Sequence, residues 1–243
     1  MGVWIIKSKT NILAKVILLL KMSTNAPEIV EKQLSELQRS LYRYRNGETV
    51  SLMEKEGIRY GKNYGLRFAE ILEVARAFDR NHEFAGALRT FDVREYQLIA
   101  MLLDDWSVYR PEEVVALCSA FRYQEEAEFA ARYALAQDAG GWEICQLLMV
   151  AAEKYARMTG NLLLARLSMA VAGGPPDGAK YISLLRRQLA GLDSFDRSIA
   201  VCASALAKVS EANRQLIEEL VEELKNSNER QLLLVAYEIE IRL

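Results

Sequence analysis

Basic and aromatic side chains gather in two neighbouring stretches near the start of the chain. The first is Leu41-Tyr-Arg-Tyr-Arg, and the second holds Arg59, Tyr60, Lys62, Tyr64 and Arg67. Guanidinium and ammonium groups bind phosphate oxygens, and tyrosine rings can add contacts to a sugar or a base. These residue types predict a nucleic-acid surface that includes Arg43, Arg45 and Lys62. The alternative is that the tyrosines cover the first helix pair while the arginines are solvated.

The sequence lacks the common short motifs of enzymes. It has no GxGxxG, P-loop, GxSxG or HExxH, and its single histidine, His82, lies in a polar segment that favours a capping or surface role over a general base. Cys118, Cys145 and Cys202 are far apart without CxxC spacing, so we expect reduced core thiols. No cofactor and no metal site is predicted. The acidic run at 218–223 is interpreted as a solvated helix face.

The charge balance argues against a globally basic nucleic-acid binder. The formal net charge is −2, and 51% of the residues are hydrophobic. A chain of this composition is expected to fold, and it leaves room for a local basic groove rather than a basic surface overall.

The first residues resemble a signal or membrane segment only briefly. The apolar run Ile12–Leu20 is interrupted by Lys15 and is shorter than the roughly 20 residues that a membrane span needs. Met22 followed by Ser-Thr-Asn has the look of a natural start, so residues 1–21 are interpreted as an upstream extension and 1–24 as an extension outside the fold. We expect no membrane partner and a cytoplasmic protein.

Helical periodicity continues through the rest of the chain. Apolar residues recur every three or four positions from Ala26, and Pro111 with two following glutamates predicts a helix start. Caps are expected at Asp79 and Asp92, and glycines predict a turn over 57–65. Later helices are predicted at 124–137, 142–158, 162–172, 178–190, 194–209, 211–225 and 229–241, with a break at Thr159-Gly-Asn.

Short connections between so many helices favour stacked antiparallel pairs. We therefore predict an all-α protein whose residues 25–243 form one HEAT-like domain, an α-α superhelix. Sequence periodicity at a fixed repeat length is absent, so the predicted repeats are structural.

Three segments resemble the DNA alkylation repair family of HEAT-like alkylpurine DNA glycosylases and their inactive relatives. They are Gly57-Ile-Arg-Tyr-Gly-Lys-Asn-Tyr-Gly-Leu-Arg, Ala85-Gly-Ala-Leu, and Val93-Arg-Glu-Tyr-Gln-Leu-Ile-Ala. The resemblance extends from Ala26 to about Val209. It implies a concave, positively charged groove for duplex DNA, in which active members release N-alkylated purines without a deep base pocket. An acid there would stabilise the developing positive sugar, and aromatic residues would pack against the nucleotide.

The family roles transfer one residue at a time. Asn161-Leu-Leu-Leu-Ala-Arg166 is similar to the family segment whose last arginine contacts the DNA backbone. Arg94, at the start of the helix that begins near Val93, is a second candidate for DNA binding. Glu128, four residues after Gln124, is the nearest match for the catalytic acid.

The aromatic positions depart from the family pattern. Cys202 occupies the place of one catalytic tryptophan, and no tryptophan accompanies Glu128. The resemblance thus implies a divergent member that binds duplex DNA, with base release conditional on Glu128. The alternative is a non-catalytic HEAT-like scaffold whose concave face binds a protein.

Overall fold

The computed structural model describes residues 26–137, 141–170, 174–175 and 177–243. The extension predicted at 1–24 lies outside these residues. Across them the chain forms thirteen α-helices and no β-strand, with one isolated bridge between Lys62 and Val93, so the all-α prediction is confirmed. No helix within the described ranges is both long and apolar enough to cross a bilayer.

The chain divides into two compact units. The N-terminal unit ends at Asp105 and contains α1 (Ala26–Tyr44), α2 (Gly47–Lys55), α3 (Phe68–Ala75), α4 (His82–Leu88) and α5 (Arg94–Leu103). The C-terminal unit spans Trp106–Leu243. Its helices are α6 (Pro111–Cys118), α7 (Gln124–Phe129), α8 (Gly141–Met149), α9 (Lys154–Ala170), α10 (Gly178–Leu189), α11 (Arg197–Ala207), α12 (Glu211–Lys225) and α13 (Arg230–Glu240). The single domain over 25–243 stays a prediction.

A buried carboxylate organises the N-terminal unit. Glu95 on α5 is 0% exposed and accepts hydrogen bonds from the backbone N–H groups of Tyr64, Gly65 and Leu66 at 3.0 to 3.2 Å. Gly65 has a φ of 78°, and a Cβ there would lie 2.1 Å from the carbonyl oxygen of Asn46. The predicted glycine turn is thus fixed by Glu95 on one side and by the start of α2 on the other.

Helix α9 is the centre of the C-terminal unit, because it packs against α6, α7, α8 and α11. Its buried Asn161 donates to the side chains of Gln188 at 2.9 Å and Ser198 at 3.1 Å, which ties α9 to α10 and α11. Gly160 lies against α8, where an added Cβ would be 2.8 Å from the Cβ of Leu148. Close packing of α8 and α9 therefore depends on the missing side chain.

The predicted break at Thr159-Gly-Asn is wrong, because α9 continues through it and the preceding helix ends at Met149. Glycine here serves helix packing rather than a turn. The helical segment predicted at 124–137 is confirmed over its length, although after α7 its hydrogen-bonding pattern changes to a π-helical turn, Ala130–Ala134, and a 3-10 turn, Leu135–Gln137.

Some helix ends also differ from the predictions. Asn81, not Asp79, caps α4, and Val93 precedes α5 while Asp92 accepts from the N–H of Gly61. Helix α2 was not predicted, although Asn46 caps it with bonds to two backbone N–H groups. The start at Pro111 is confirmed, and the three cysteines are buried and free as predicted.

Replacement of Gly160 by alanine tests the contact between α8 and α9. In an ordinary helix this change stabilises by about 1 kcal/mol, because alanine has the higher helix propensity. Here we expect destabilisation of about 1–3 kcal/mol, since the new Cβ would overlap α8. Urea unfolding of Gly160→Ala measures whether the free energy of unfolding rises or falls. Gly191→Ala is the control, because its Cβ would meet no atom within 4 Å, and equal effects of the two variants would contradict the contact.

Candidate functional site

A groove in the C-terminal unit brings Glu128 together with apolar and basic side chains. It has a volume of about 520 Å³. Helix α7 contributes Gln124 and Glu128, α9 contributes Met158 and Leu162, and the start of α11 contributes further lining residues. An acid and apolar side chains thus line one groove.

Glu128 is held at this groove by a local bond. Its Oε1 accepts from the Nε2 of Gln124 at 2.7 Å, as the spacing of four residues predicts, and the side chain is exposed. The α-helical hydrogen-bonding pattern ends one residue later, where the π-helical turn begins. Short π-helical turns inside helices are frequent at functional sites. The carboxylate is accessible to a ligand and is oriented by its partner.

Phe195 supplies the aromatic ring of the groove. Its side chain is 39% exposed, and it precedes the N-cap of α11, Asp196, whose carboxylate accepts from the N–H of Ser198. Cys202, which the resemblance aligns with one catalytic tryptophan, is completely buried and does not line the groove. Its burial raises the pKa of the thiol well above the ordinary value. The accessible ring therefore lies one residue before the cap, not at position 202.

Three cations also line the groove: Lys154, Arg197 and Arg242. Lys154 begins α9 and is exposed. The two arginines share one carboxylate, Glu238, whose Oε1 accepts from the Nε of Arg197 at 2.9 Å and the Nη2 of Arg242 at 2.6 Å. These bonds, first that from Arg242 and then that from Arg197, lower the pKa of Glu238. The groove combines an acid, a ring and fixed positive charge.

Arg166 projects from α9 one turn beyond Leu162. It is exposed and forms no hydrogen bond or ion pair with another described residue. Four side chains follow steps of four residues along α9: Lys154, Met158, Leu162 and Arg166. Neighbours in this series therefore lie on roughly the same face of the helix. Arg166 is not among the residues that line the groove, and its contact with a DNA phosphate stays a prediction.

The N-terminal unit brings two of the predicted basic residues together at a pair of tyrosines. The Arg45 guanidinium lies 5.8 Å from the ring centre of Tyr42, and the Lys62 ammonium lies 5.5 Å from the same ring. Lys62 is also 4.5 Å from the ring centre of Tyr64, whose hydroxyl raises the lysine pKa. Tyr42 is 51% exposed, so the tyrosine cluster, defined by Tyr42, Tyr64, Arg45 and Lys62, presents both charge and a ring.

Arg94 differs from the other predicted DNA-binding residues because its side chain is buried. Its side chain is only 5% exposed, donates to the carbonyl oxygen of Leu66 at 2.7 Å and pairs with Glu95 at 3.1 Å. A buried guanidinium with these partners serves the fold, so Arg94 is not part of the exposed basic surface predicted to bind DNA. Arg43 is exposed on α1.

Sequence reasoning missed Lys154 and Arg242 as site residues. The stripe on α9 could have identified Lys154, whereas no local pattern connects Arg197 with Glu238 across 41 residues. Among the described residues, no group of histidine, cysteine and acidic side chains could hold a metal ion.

Substitution of Arg94 and Arg166, the two arginines predicted from the resemblance, should distinguish a structural role from a surface role. We expect Arg94→Gln to lower the free energy of unfolding by about 3 kcal/mol, because it leaves Glu95 buried without its charged partner. Arg166→Gln should change it by less than about 0.5 kcal/mol, since Arg166 is exposed and unbonded. Urea denaturation measures both values. A stable Arg94→Gln variant would contradict the structural role of that side chain.

Known proteins add no assignment to either site. Compared with protein-family models, curated proteins and solved structures, the chain matches none. The resemblance to the DNA alkylation repair family rests on the residues quoted from this sequence. Function has to be argued from the geometry of the groove and of the tyrosine cluster.

Proposed function

We propose that this chain is a HEAT-like α-α superhelical protein of the cytoplasm, a divergent relative of the DNA alkylation repair family, that binds duplex DNA. The observation that carries the proposal is the shared groove of Glu128, Phe195 and three cations. Cations bind phosphates, an exposed ring packs against a nucleotide, and an acid stabilises positive charge. All three are needed to act on a cationic base in DNA.

Base release would use Glu128 as the acid. When the bond between the sugar and an N-alkylated purine breaks, its electron pair leaves with the purine and positive charge develops on the sugar. An ionised carboxylate stabilises that charge and positions the water that adds to the sugar. Phe195 takes the packing role, but its ring is smaller than a tryptophan. DNA binding is therefore the primary proposal, and catalysis is the conditional one.

Local charge must provide the affinity, because the whole chain carries a formal charge of −2. The tyrosine cluster offers Arg45 and Lys62, with Arg43 exposed nearby in sequence, and the C-terminal unit offers Arg166. Release of counterions from DNA by such cations makes binding strongly dependent on salt. A few contacts predict weak to moderate affinity that falls at physiological salt.

A second candidate is a protein-binding scaffold without catalysis. It is favoured by an exposed apolar stripe on and just after α13, formed by Leu234, Tyr237 and Ile241. Contiguous exposed apolar patches can mark sites of protein–protein interaction. The two candidates differ in whether the basic residues matter for binding.

Duplex-DNA binding across a salt series tests the primary proposal. We expect Lys62→Gln and Arg166→Gln each to weaken binding of a labelled duplex several-fold and to reduce the salt slope by about one, because each removes one phosphate contact. Fluorescence anisotropy with and without an alkylated purine measures affinity and preference. Lys55→Gln and Arg187→Gln are matched controls, since both residues are exposed and lie outside the proposed surface. Absence of binding at low salt would reject the proposal and favour the scaffold.

Base release tests the role of Glu128. If wild-type protein excises an N-alkylated purine, Glu128→Gln should slow the single-turnover rate about a hundredfold, because the neutral amide no longer stabilises the developing charge. Glu153→Gln, an exposed acid outside the groove, should retain the full rate. Full activity of Glu128→Gln would remove the assignment. An inactive wild type that binds DNA would leave binding as the function.

A further inference from the structure

One carboxylate at the edge of the groove holds two guanidinium groups. Glu238 on α13 accepts with a single oxygen, Oε1, from the Nε of Arg197 on α11 and from the Nε and Nη2 of Arg242. The three distances are 2.9, 3.1 and 2.6 Å. We call this group, Arg197, Glu238 and Arg242, the arginine clamp.

The clamp leaves donors unused. Arg197 is tied only through its Nε, so both of its terminal nitrogens bond to no other described residue, and its side chain is 64% exposed. Arg242 has one terminal nitrogen, Nη1, that likewise bonds to no other described residue. Because a guanidinium is planar, fixing its Nε also fixes the direction of the other donors. The clamp presents oriented N–H groups rather than flexible charges.

The local charge of the clamp is positive. Two guanidinium groups share one carboxylate, and the lowered pKa of Glu238 keeps that carboxylate ionised at neutral pH. Within the clamp itself, one positive charge is left over for a ligand. Asp196, which precedes Arg197 in sequence and also lines the groove, accepts from the N–H of Ser198 at the start of α11. Its carboxylate is occupied by a structural bond and is buried.

A purely structural role explains the clamp poorly. Helices α11 and α13 already pack together, with Val235, Ala236 and Ile239 of α13 buried. Ion pairs as exposed as that of Arg197 contribute little to stability, because water screens them. Phe195 and Lys154, by contrast, line the same groove as the two arginines, and these residue types suit a ligand with both an anion and a planar ring.

We propose that the arginine clamp is an oxyanion site for a phosphate ester, with the neighbouring Phe195 ring against the attached sugar or base. Planar guanidinium forks match phosphate oxygens in geometry as well as charge. The inference rests on the proposed function for its source of phosphate, the backbone of duplex DNA. A free nucleoside monophosphate offers the same group.

The test uses variants that separate oriented donors from net charge. Arg197→Gln removes the exposed donors, and Glu238→Ala releases both arginines while it raises the net charge by one. Simple electrostatics predicts that Glu238→Ala binds anions more tightly, whereas the clamp predicts weaker binding. Arg187→Gln, an exposed arginine of α10 outside the groove, is the control for lost charge. Circular dichroism melting checks that each variant is folded.

The probes are a labelled DNA duplex, a nucleoside 5′-monophosphate and the same nucleoside without phosphate. We expect about a tenfold loss of affinity for phosphate-bearing probes in Arg197→Gln and a loss of at least threefold in Glu238→Ala, with Arg187→Gln closer to wild type. The nucleoside should bind equally weakly to all variants. Titration by nuclear magnetic resonance measures the small probes, and anisotropy measures the duplex.

The outcomes distinguish the inference from the proposed function. Duplex binding that is unchanged in both clamp variants would overturn the clamp and leave DNA binding standing. Monophosphate binding that needs the clamp, without any duplex binding, would support the clamp and reject the proposed function. Tighter binding by Glu238→Ala, or no binding of either phosphate probe to wild type, would overturn the oxyanion site.

Discussion

The contact on which the N-terminal unit depends most is the acceptance of three consecutive backbone N–H groups by Glu95. Without Glu95 the buried N–H groups of Tyr64 and Leu66 would lack an acceptor, which costs free energy comparable to a lost hydrogen bond for each. The N–H of Gly65 also donates to the Oδ1 of Asn63 at 2.8 Å. Arg94 compensates the buried charge and adds a bond to the same turn. Held in this way, the turn places Lys62 and Tyr64 against Tyr42. The tyrosine cluster thus depends on the buried hydrogen bonds between Glu95 and the backbone of the turn.

This arrangement explains why a carboxylate and a guanidinium can both be buried beside one another in a region expected to bind nucleic acid. The Arg94-Glu95 pair lies at the start of α5, where the N–H groups of the helix favour negative charge. Its role is to fix the loop from which exposed cations project. Affinity for a ligand and stability of the scaffold are consequently assigned to different arginines, with Arg45 exposed and Arg94 enclosed.

Local sequence predicted the elements whose cause is local. Helical periodicity, the start at Pro111 and the glycine turn follow from side-chain spacing and backbone preference, and each agrees with the structure. The failures have a non-local cause. Gly160 lies inside α9 rather than at a break, because α8 packs closely against it. The cap of α4 is Asn81 rather than Asp79, and the backbone N–H of Asn81 donates to the carbonyl oxygen of Leu103 at the end of α5. Propensity alone contains no information about either contact.

The candidate site was predictable to a similar extent. Glu128 and its bond from Gln124 follow from a spacing of four on one helix, but the ring beside it could not be placed by alignment of a motif, because Cys202 points into the core. The ring and the clamp arise where the segment before α11 meets the end of α13. Glu128 lines the same groove as three cations, and it forms no direct ion pair among the described residues. A ligand that carries both negative phosphate and a positively charged base would satisfy both sides of this groove at once, whereas a simple anion would satisfy only the clamp. The presence of both charge signs in one groove is therefore the strongest physical support for the proposal of a cationic lesion in DNA over a neutral substrate.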